Sequence, residues 1–194
     1  MSGDAPGRQP MRTLLADTLV LEPLLAAHAE DMFALLSDAE LHRHLDRPPP
    51  ASVEHLRSVY ARLESRRSPD GSQHWLNWIV RPAAGPAPIG FVQATVTGER
   101  EAWVAYVLSR PHWGRGHATR ATRCVMEHLQ SAYGVHRFLA TVEAANARSI
   151  GVLERLGFRA ASPAEAGGHS LAPTERLFLA EAAARPARLP RHSP

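Results

Sequence analysis

Apolar and polar positions change period several times along the chain, and each change marks an element. From Asp17 to Leu24, "DTLVLEPL" alternates as a strand does, and Pro23 ends its regular pairing. In "AHAEDMFALLSD" the spacing turns helical, with Met32, Leu35 and Leu36 on one face. The prolines of "DRPPPAS" interrupt it. A second helix then starts at the N-cap Ser52 and carries Leu56, Val59, Tyr60 and Leu63 as its buried stripe. Three strand-like runs follow, "QHWLNWIV", "PIGFVQATV" and "EAWVAYVLS", separated by the Pro/Gly-rich "RPAAGPA" and the turn-like "TGER"; they predict an antiparallel meander. From Gly114 to about Ala132, Ala121, Val125, Met126 and Leu129 predict a helix. "VHRFLATV" reads as a strand and Ala147 to Leu156 as a helix closed by Gly157 in the C′ position. Phe158 opens a strand, "AASPAEAGGHSLAP" reads as a loop, and "TERLFLAEA" is the final strand.

The predicted order is β-α-α-β-β-β-α-β-α-β-β. It describes a single α/β domain over residues 13–182, with a mixed, mostly antiparallel central sheet of about seven strands flanked by helices. Residues 1–12 are expected to be a flexible N-terminus, and 183–194 a disordered Arg/Pro tail. A chain of 194 residues with 44% apolar content can bury one substantial core, and there are no internal repeats.

Composition narrows the setting. The single Cys124 excludes an internal disulfide framework, and no apolar run approaches the roughly 20 residues that cross a bilayer. "MSGDAPGRQPMRT" lacks the apolar core of a signal peptide, so a cytoplasmic protein without membrane contact is expected. All 22 basic residues are arginine, yet the net charge is only +3 and the arginines are scattered. No nucleic-acid partner is therefore expected. A metal is not expected either. His42 and His44 are too close to share a helical face, and no cysteine or carboxylate cluster completes a ligand set.

The chemistry concentrates in "RPHWGRGHATRAT", Arg110 to Thr122, where a strand gives way to a helix. The first N–H groups of a helix lack internal partners and point outward with the positive end of the dipole, which makes an anion site. Gly114 and Gly116 let the backbone approach a phosphate, and Arg115 adds charge. A Walker loop is excluded because the chain contains no lysine; a dinucleotide fingerprint is excluded because Thr119 stands where a third glycine is needed. A plain glycine turn stays open on this stretch alone. A second motif, "NARSIGVLERLGF" from Asn146 to Phe158, follows the next strand.

In this order and at this separation, the two motifs resemble the GNAT superfamily of acyl-CoA-dependent N-acetyltransferases, most of all the branch containing ribosomal-protein N-terminal acetyltransferases. The resemblance runs from about Thr18 to Ala180. It implies a GNAT-like domain in which the strand before the glycine loop splays from its neighbour. Backbone groups at Val107 and Leu108 then bind the pantetheine arm of acetyl-CoA, the co-substrate. Gly114, Arg115, Gly116, His117, Ala118 and Thr119 hold the pyrophosphate. Asn146 bonds the cofactor arm, and Ser149 is the hydroxyl that approaches the sulfur. The implied reaction is acetyl transfer to a primary amine, either a protein N-terminus or a small molecule, by direct attack in a ternary complex. The expected assembly is a monomer or homodimer.

Chemistry sets further requirements. The amine must lose a proton, an oxyanion must be stabilised, and the departing thiolate should gain a proton. A strand N–H near Leu108 is the natural oxyanion donor. No covalent enzyme intermediate is needed, so Cys124 reads as a helix core residue. The chain departs from the branch at two carboxylates: Trp103 and Arg120 stand where relatives carry glutamate. Substitute bases are Glu101, which shares a strand face with Trp103 and Ala105, then Glu143 and His112. Leu153 replaces the tyrosine that protonates the thiolate in many GNAT enzymes, so the expected acid is Ser149, with Tyr106 as the alternative. Trp75, Trp78, Phe91, Gln93 and Trp103 could supply the walls of a substrate floor, but aromatic residues alternating along strands are more often core, so none is assigned to substrate; Arg43 and Arg47 could rim the mouth. The rival reading is a catalytically weakened acyl-CoA-binding or sensor module, motivated by the missing glutamates.

Overall fold

The computed structural model describes residues 11–44 and 48–182. Most of the expected flexible N-terminus, the Arg/Pro tail and Arg47 lie outside the described residues. The strands are β1 (Leu14–Ala16), β2 (Leu19–Pro23), β3 (His74–Pro82), β4 (Gly90–Val96), β5 (Glu101–Leu108), β6 (Arg137–Glu143), β7 (Arg159–Ala160) and β8 (Glu175–Glu181). The helices are α1 (Ala29–Leu36), α2 (Val53–Leu63), α3 (His117–Tyr133), α4 (Ala147–Arg155) and α5 (Pro163–Ala166). One eight-stranded sheet has the order β1-β2-β3-β4-β5-β6-β8-β7. Every neighbouring pair is antiparallel except β5 with β6.

Two elements exceed the sequence-based expectation. β1 is three residues long, too short to show a period, and pairs with β2 around a turn in which Asp17 takes φ 55°. α5 begins in the stretch expected to be a loop, with Ser162 accepting from Glu165 N at the cap. The other caps follow the sequence. Ser52 Oγ accepts from His55 N at 3.1 Å, and Gly157 adopts φ 89° after α4.

Strand alternation sends two sets of side chains to opposite faces. Leu19, Leu21, Leu76, Trp78, Val92, Ala94, Val104 and Leu108 pack with Ala121, Val125 and Leu129 of α3 in the main core. Ile79, together with Phe91 and Val107, packs on the other face against Met32, Leu36, Leu56 and Tyr60 of α1 and α2. Trp78 is a core residue, the reading favoured for such strand aromatics: it is fully buried, and its Nε1 donates to Arg12 O at 3.1 Å. α3 and α4 lie on one face of β5, and the α1–α2 unit lies on the other. Among the described residues no helix is long and apolar enough to cross a membrane.

Candidate active site

The site begins with a register. β5 and β6 pair only from Glu101 to Trp103 against Arg137 to Leu139. Beyond that seam, β5 stays with β4 as far as Leu108, and β6 stays with β8 as far as Glu143. The two strands part and leave a wedge. Parity says which backbone groups face it. Thr97 N donates to Glu101 O at 2.9 Å and Ser109 N to Ile89 O at 2.8 Å. These bonds flank the β4–β5 ladder and assign the odd residues of β5 to β4. Tyr106 and Leu108 therefore turn their main-chain groups toward the wedge. On the other side, Ala182 N to His136 O and Ala144 N to Thr174 O, both 2.8 Å, assign the even residues of β6 to β8, which leaves Thr141 facing the wedge. The Leu108 carbonyl accepts from Trp113 Nε1 at 2.6 Å, so its N–H is the group left over. Val107, expected to supply backbone contacts, has its main chain committed to Phe91 by the same parity; its side chain lines the cleft.

The glycine loop closes one end. Gly114 and Gly116 take φ 72° and 74°, a left-handed conformation that costs a residue with a Cβ but not glycine. Gly116 is the N-cap of α3 and supplies no side-chain bond. The first helical bond is Arg120 N to Gly116 O at 3.0 Å, so the N–H groups of His117, Ala118 and Thr119 have no helical acceptor. No acid occupies this first turn. Arg120 folds back instead. Its Nη2 lies 3.0 Å from Arg115 O and 2.9 Å from His117 Nδ1, and its Nε lies 3.9 Å from Asp17 of the β1–β2 turn. Burial and Arg115 hold His112 below the usual histidine range, while burial, Arg120, His112 and Arg115 do the same for His117. Both imidazoles are neutral at pH 7. The helix dipole and the guanidinium groups together favour an anion.

The α4 terminus closes the other side. Asn146 caps it, with Oδ1 accepting from Ser149 N at 3.1 Å. This bond fixes Ser149 in the first turn, where its Oγ lies 2.8 Å from Tyr106 Oη, and Tyr106 also donates to Ser149 O at 3.1 Å. Burial pushes the Tyr106 phenol up to about 12, against smaller opposing effects of the Ser149 bond and Arg155. The phenol therefore keeps its proton at neutral pH.

These parts enclose a cleft of about 530 Å³. Val107, Leu108, Gly114, Gly116, His117, Ala118, Thr119, Asn146 and Ser149 all line it; Arg115 stands exposed on the loop between the glycines. Glu101 is not brought there. It sits in the closed seam, bound to Arg137 Nη1 at 3.1 Å, five residues from Tyr106, or about 17 Å at roughly 3.4 Å per residue. Glu143 accepts from Thr174 Oγ1 at 2.9 Å and does not line the cleft, whereas His112 does, with Nδ1 2.8 Å from Ser109 Oγ. Trp103 stacks edge-on against His169 with centroids 5.2 Å apart. Arg43 pairs with Glu40 at 3.4 Å. Cys124 is half-buried beside Leu15 O, and burial raises its thiol, so it has no activated thiolate.

Sequence reasoning missed several lining residues. Trp113 and Arg148 meet face to cation at 4.5 Å across the open end. Val152 and Arg155 follow Arg148 at helical spacing, which is a readable signal. Glu40 and Leu41 come from the turn joining α1 and α2, and nothing local in the sequence announces them.

The profile of the acetyltransferase (GNAT) domain family matches residues 18–159, well over half of the 194 residues. The chain belongs to the GNAT family. An uncharacterised N-acetyltransferase p20 from Bacillus licheniformis is 26% identical over 150 residues, covering 77% of this GNAT chain and 83% of its own. Among solved structures, spermidine N-acetyltransferase from Vibrio cholerae, in complex with CoA and spermine, superposes with a TM-score of 0.69 at 16% identity. It covers 84% of this chain and 95% of that one. RimJ from Mycobacterium smegmatis, in complex with CoA-disulfide, gives 0.69 at 21% identity, covering 90% and 86%. These likenesses show the fold. Among the described residues of this GNAT domain, no group of three or more metal-ligating side chains comes together.

Proposed function

We propose that this GNAT domain transfers an acetyl group from acetyl-CoA to a primary amine by direct attack in a ternary complex. The observation that carries the reading is the wedge between β5 and β6, where unpaired strand edges meet beside an acid-free helix N-terminus. Buried backbone groups require partners. An extended, amide-bearing arm ending in a pyrophosphate supplies both kinds: amides for the strand edges and anionic oxygens for the glycine loop.

The residues divide the work. The Leu108 N–H, fixed in the strand before any charge develops, donates to the oxyanion. Ser149 Oγ gives a proton to the departing sulfur and regains one from solvent, while the Tyr106 phenol, 2.8 Å away, keeps its own proton and holds the hydroxyl in place. His112, neutral and cleft-lining, accepts the proton that the attacking amine gives up. The C–N bond forms as the C–S bond breaks, and no enzyme atom is acylated.

Release of free thiol from acetyl-CoA over spermine, small amines and short peptides tests this. Ser149→Ala is expected to lower turnover by about 10²-fold with CoA affinity nearly unchanged, since a positioned proton donor contributes on that order. Binding of acetyl-CoA without turnover on any amine would support the sensor-module reading instead. Failure to bind would refute both.

A further inference from the structure

One row of the sheet carries two side-chain amides with no structural use. Asn77, Gln93 and Ala105 are direct cross-strand partners on β3, β4 and β5. Direct partners share a face, here the one that bears Ile79, Phe91 and Val107 and lies opposite α3 and α4. Among the described residues, Gln73 accepts from Trp75, Asn146 caps α4 and Gln130 has a partner, whereas the Asn77 and Gln93 amides make no hydrogen bond. Asn77 is only 6% exposed. A buried amide without a partner is costly, so its presence needs a reason.

The flanking rows are covered. Ile79, Phe91 and Val107 lie under α1 and α2, and Trp103 packs with Leu139, Leu179 and Leu171. Between these covers Ala105 is exposed, and so is Thr141 across the wedge. The amide row therefore runs into the wedge beside Tyr106, three residues from Leu108. The α3 loop, α4 and Ser149 occupy the other face, which leaves this one for the second reactant. It is also uncharged. The next row is Trp75, Thr95, Trp103 and Leu139, so neither row holds a charged side chain from β3 to β6. The carboxylates that border it are engaged: Glu101 by Arg137, Glu143 by Thr174 Oγ1 and Glu40 by Arg43. A second ammonium group would find no counter-charge there, whereas paired carboxamides offer both donors and acceptors to an uncharged amide.

Resting on the acetyl-transfer reading, we propose that Asn77 and Gln93 determine acceptor specificity by seating an uncharged amide that the acceptor carries a few atoms from its amine. The neutral surroundings discriminate against diamines, whose second charge would lose its water without gaining a partner. The amide belongs either to a free amino amide or to the first peptide bonds of a chain; both present the same carbonyl and N–H to the row.

Steady-state acetylation by the full chain of 4-aminobutanamide, 1,4-diaminobutane and butylamine, which differ only at the far end, tests this, with amidated tetra-alanine as the peptide arm. The better of the two amide substrates should exceed the amide-free amines in kcat/KM by roughly ten- to a hundredfold, the range for one or two hydrogen bonds, and which of them it is identifies the source. Gln93→Glu, isosteric at a half-buried position, should shift the ratio toward the diamine by about tenfold with the KM for acetyl-CoA unchanged. Gln93→Leu should lower the amide substrates toward butylamine, again with that KM unchanged. Spermine or any other amide-free amine that matches the better amide substrate, or a ratio that neither variant moves, would overturn the proposal. Acetyl-CoA bound without turnover on any amine would instead overturn the acetyl-transfer reading beneath it.

Discussion

Replacing Gly116 and Gly114 by alanine in parallel separates two reasons for glycine in the α3 loop. Both residues have nearly the same backbone angle, φ 74° and 72°, so the left-handed penalty of a Cβ, about 1–2 kcal/mol, is common to both. Their surroundings differ. A Cβ at 114 would meet nothing within 4 Å, whereas one at 116 would lie 3.2 Å from Arg120 Nη1. That guanidinium must then shift, straining its bonds to Arg115 O at 3.0 Å and His117 at 2.9 Å. Arg120 is partly exposed, so solvent reduces the loss to about 0.5–1 kcal/mol. Gly116→Ala should therefore cost about 1.5–3 kcal/mol and Gly114→Ala about 1–2. In a domain of this size these correspond to Tm losses of roughly 3–12 °C and 2–8 °C, at about 2–4 °C per kcal/mol. Urea denaturation followed by circular dichroism measures the difference, and the same pair in an Arg120→Gln background closes a double-mutant cycle. With Arg120 removed, the two alanine variants should cost the same. Equal losses with Arg120 present would refute its role in holding the loop.

Three further outcomes follow from the geometry. His128 is buried between Trp78 and Tyr133, its ring nitrogens have no hydrogen-bond partner among the described residues, and burial and Arg12 hold it below the usual histidine range. The unfolded chain thus binds this proton more tightly, and stability, full above about pH 6.5, should fall below it by up to about 1.4 kcal/mol per pH unit; flat urea midpoints from pH 7.5 to 5 would contradict this. Asn146→Ala removes the α4 cap and the restraint on Ser149, so about 1 kcal/mol of stability should be lost together with turnover; turnover measured at full occupancy with acetyl-CoA checks it. Gly90→Ala drives a Cβ into the Val107 carbonyl oxygen, and a backbone atom cannot swing aside. A loss of about 3 kcal/mol is expected, read from the denaturation midpoint.

How much was legible depends on the kind of cause. The α3 loop was readable because glycine pairs and helix starts are local, and the Ser52 cap and Gly157 stop were readable for the same reason; that Asn146 caps α4 was not read from the sequence. The face shared by Glu101, Trp103 and Ala105 was also correct as alternation, but a face is not a position along a strand, and Glu101 lies in the seam with Arg137. Whether Val107 or Leu108 offers its backbone depends on ladder parity, which the meander's side-chain pattern does not encode. Tyr106 and Ser149 meet across 43 residues, and Glu40 reaches the cleft only because α1 and α2 pack on the far face of β5. Tertiary packing decides such juxtapositions.

The three-residue contact between β5 and β6 also has a mechanical meaning. Among the described residues it is the only sheet pairing between the first five strands and the last three, supplemented by the packing of α3 against α4. The C-terminal part, β6 to β8, is therefore a natural unit of partial opening, held by few amide bonds at the seam and many within itself. A ligand that bonds both edges of the wedge acts as a staple between the two parts, and the greatest slowing of amide exchange on binding belongs at Ala102, Leu108 and Thr141 rather than in the meander.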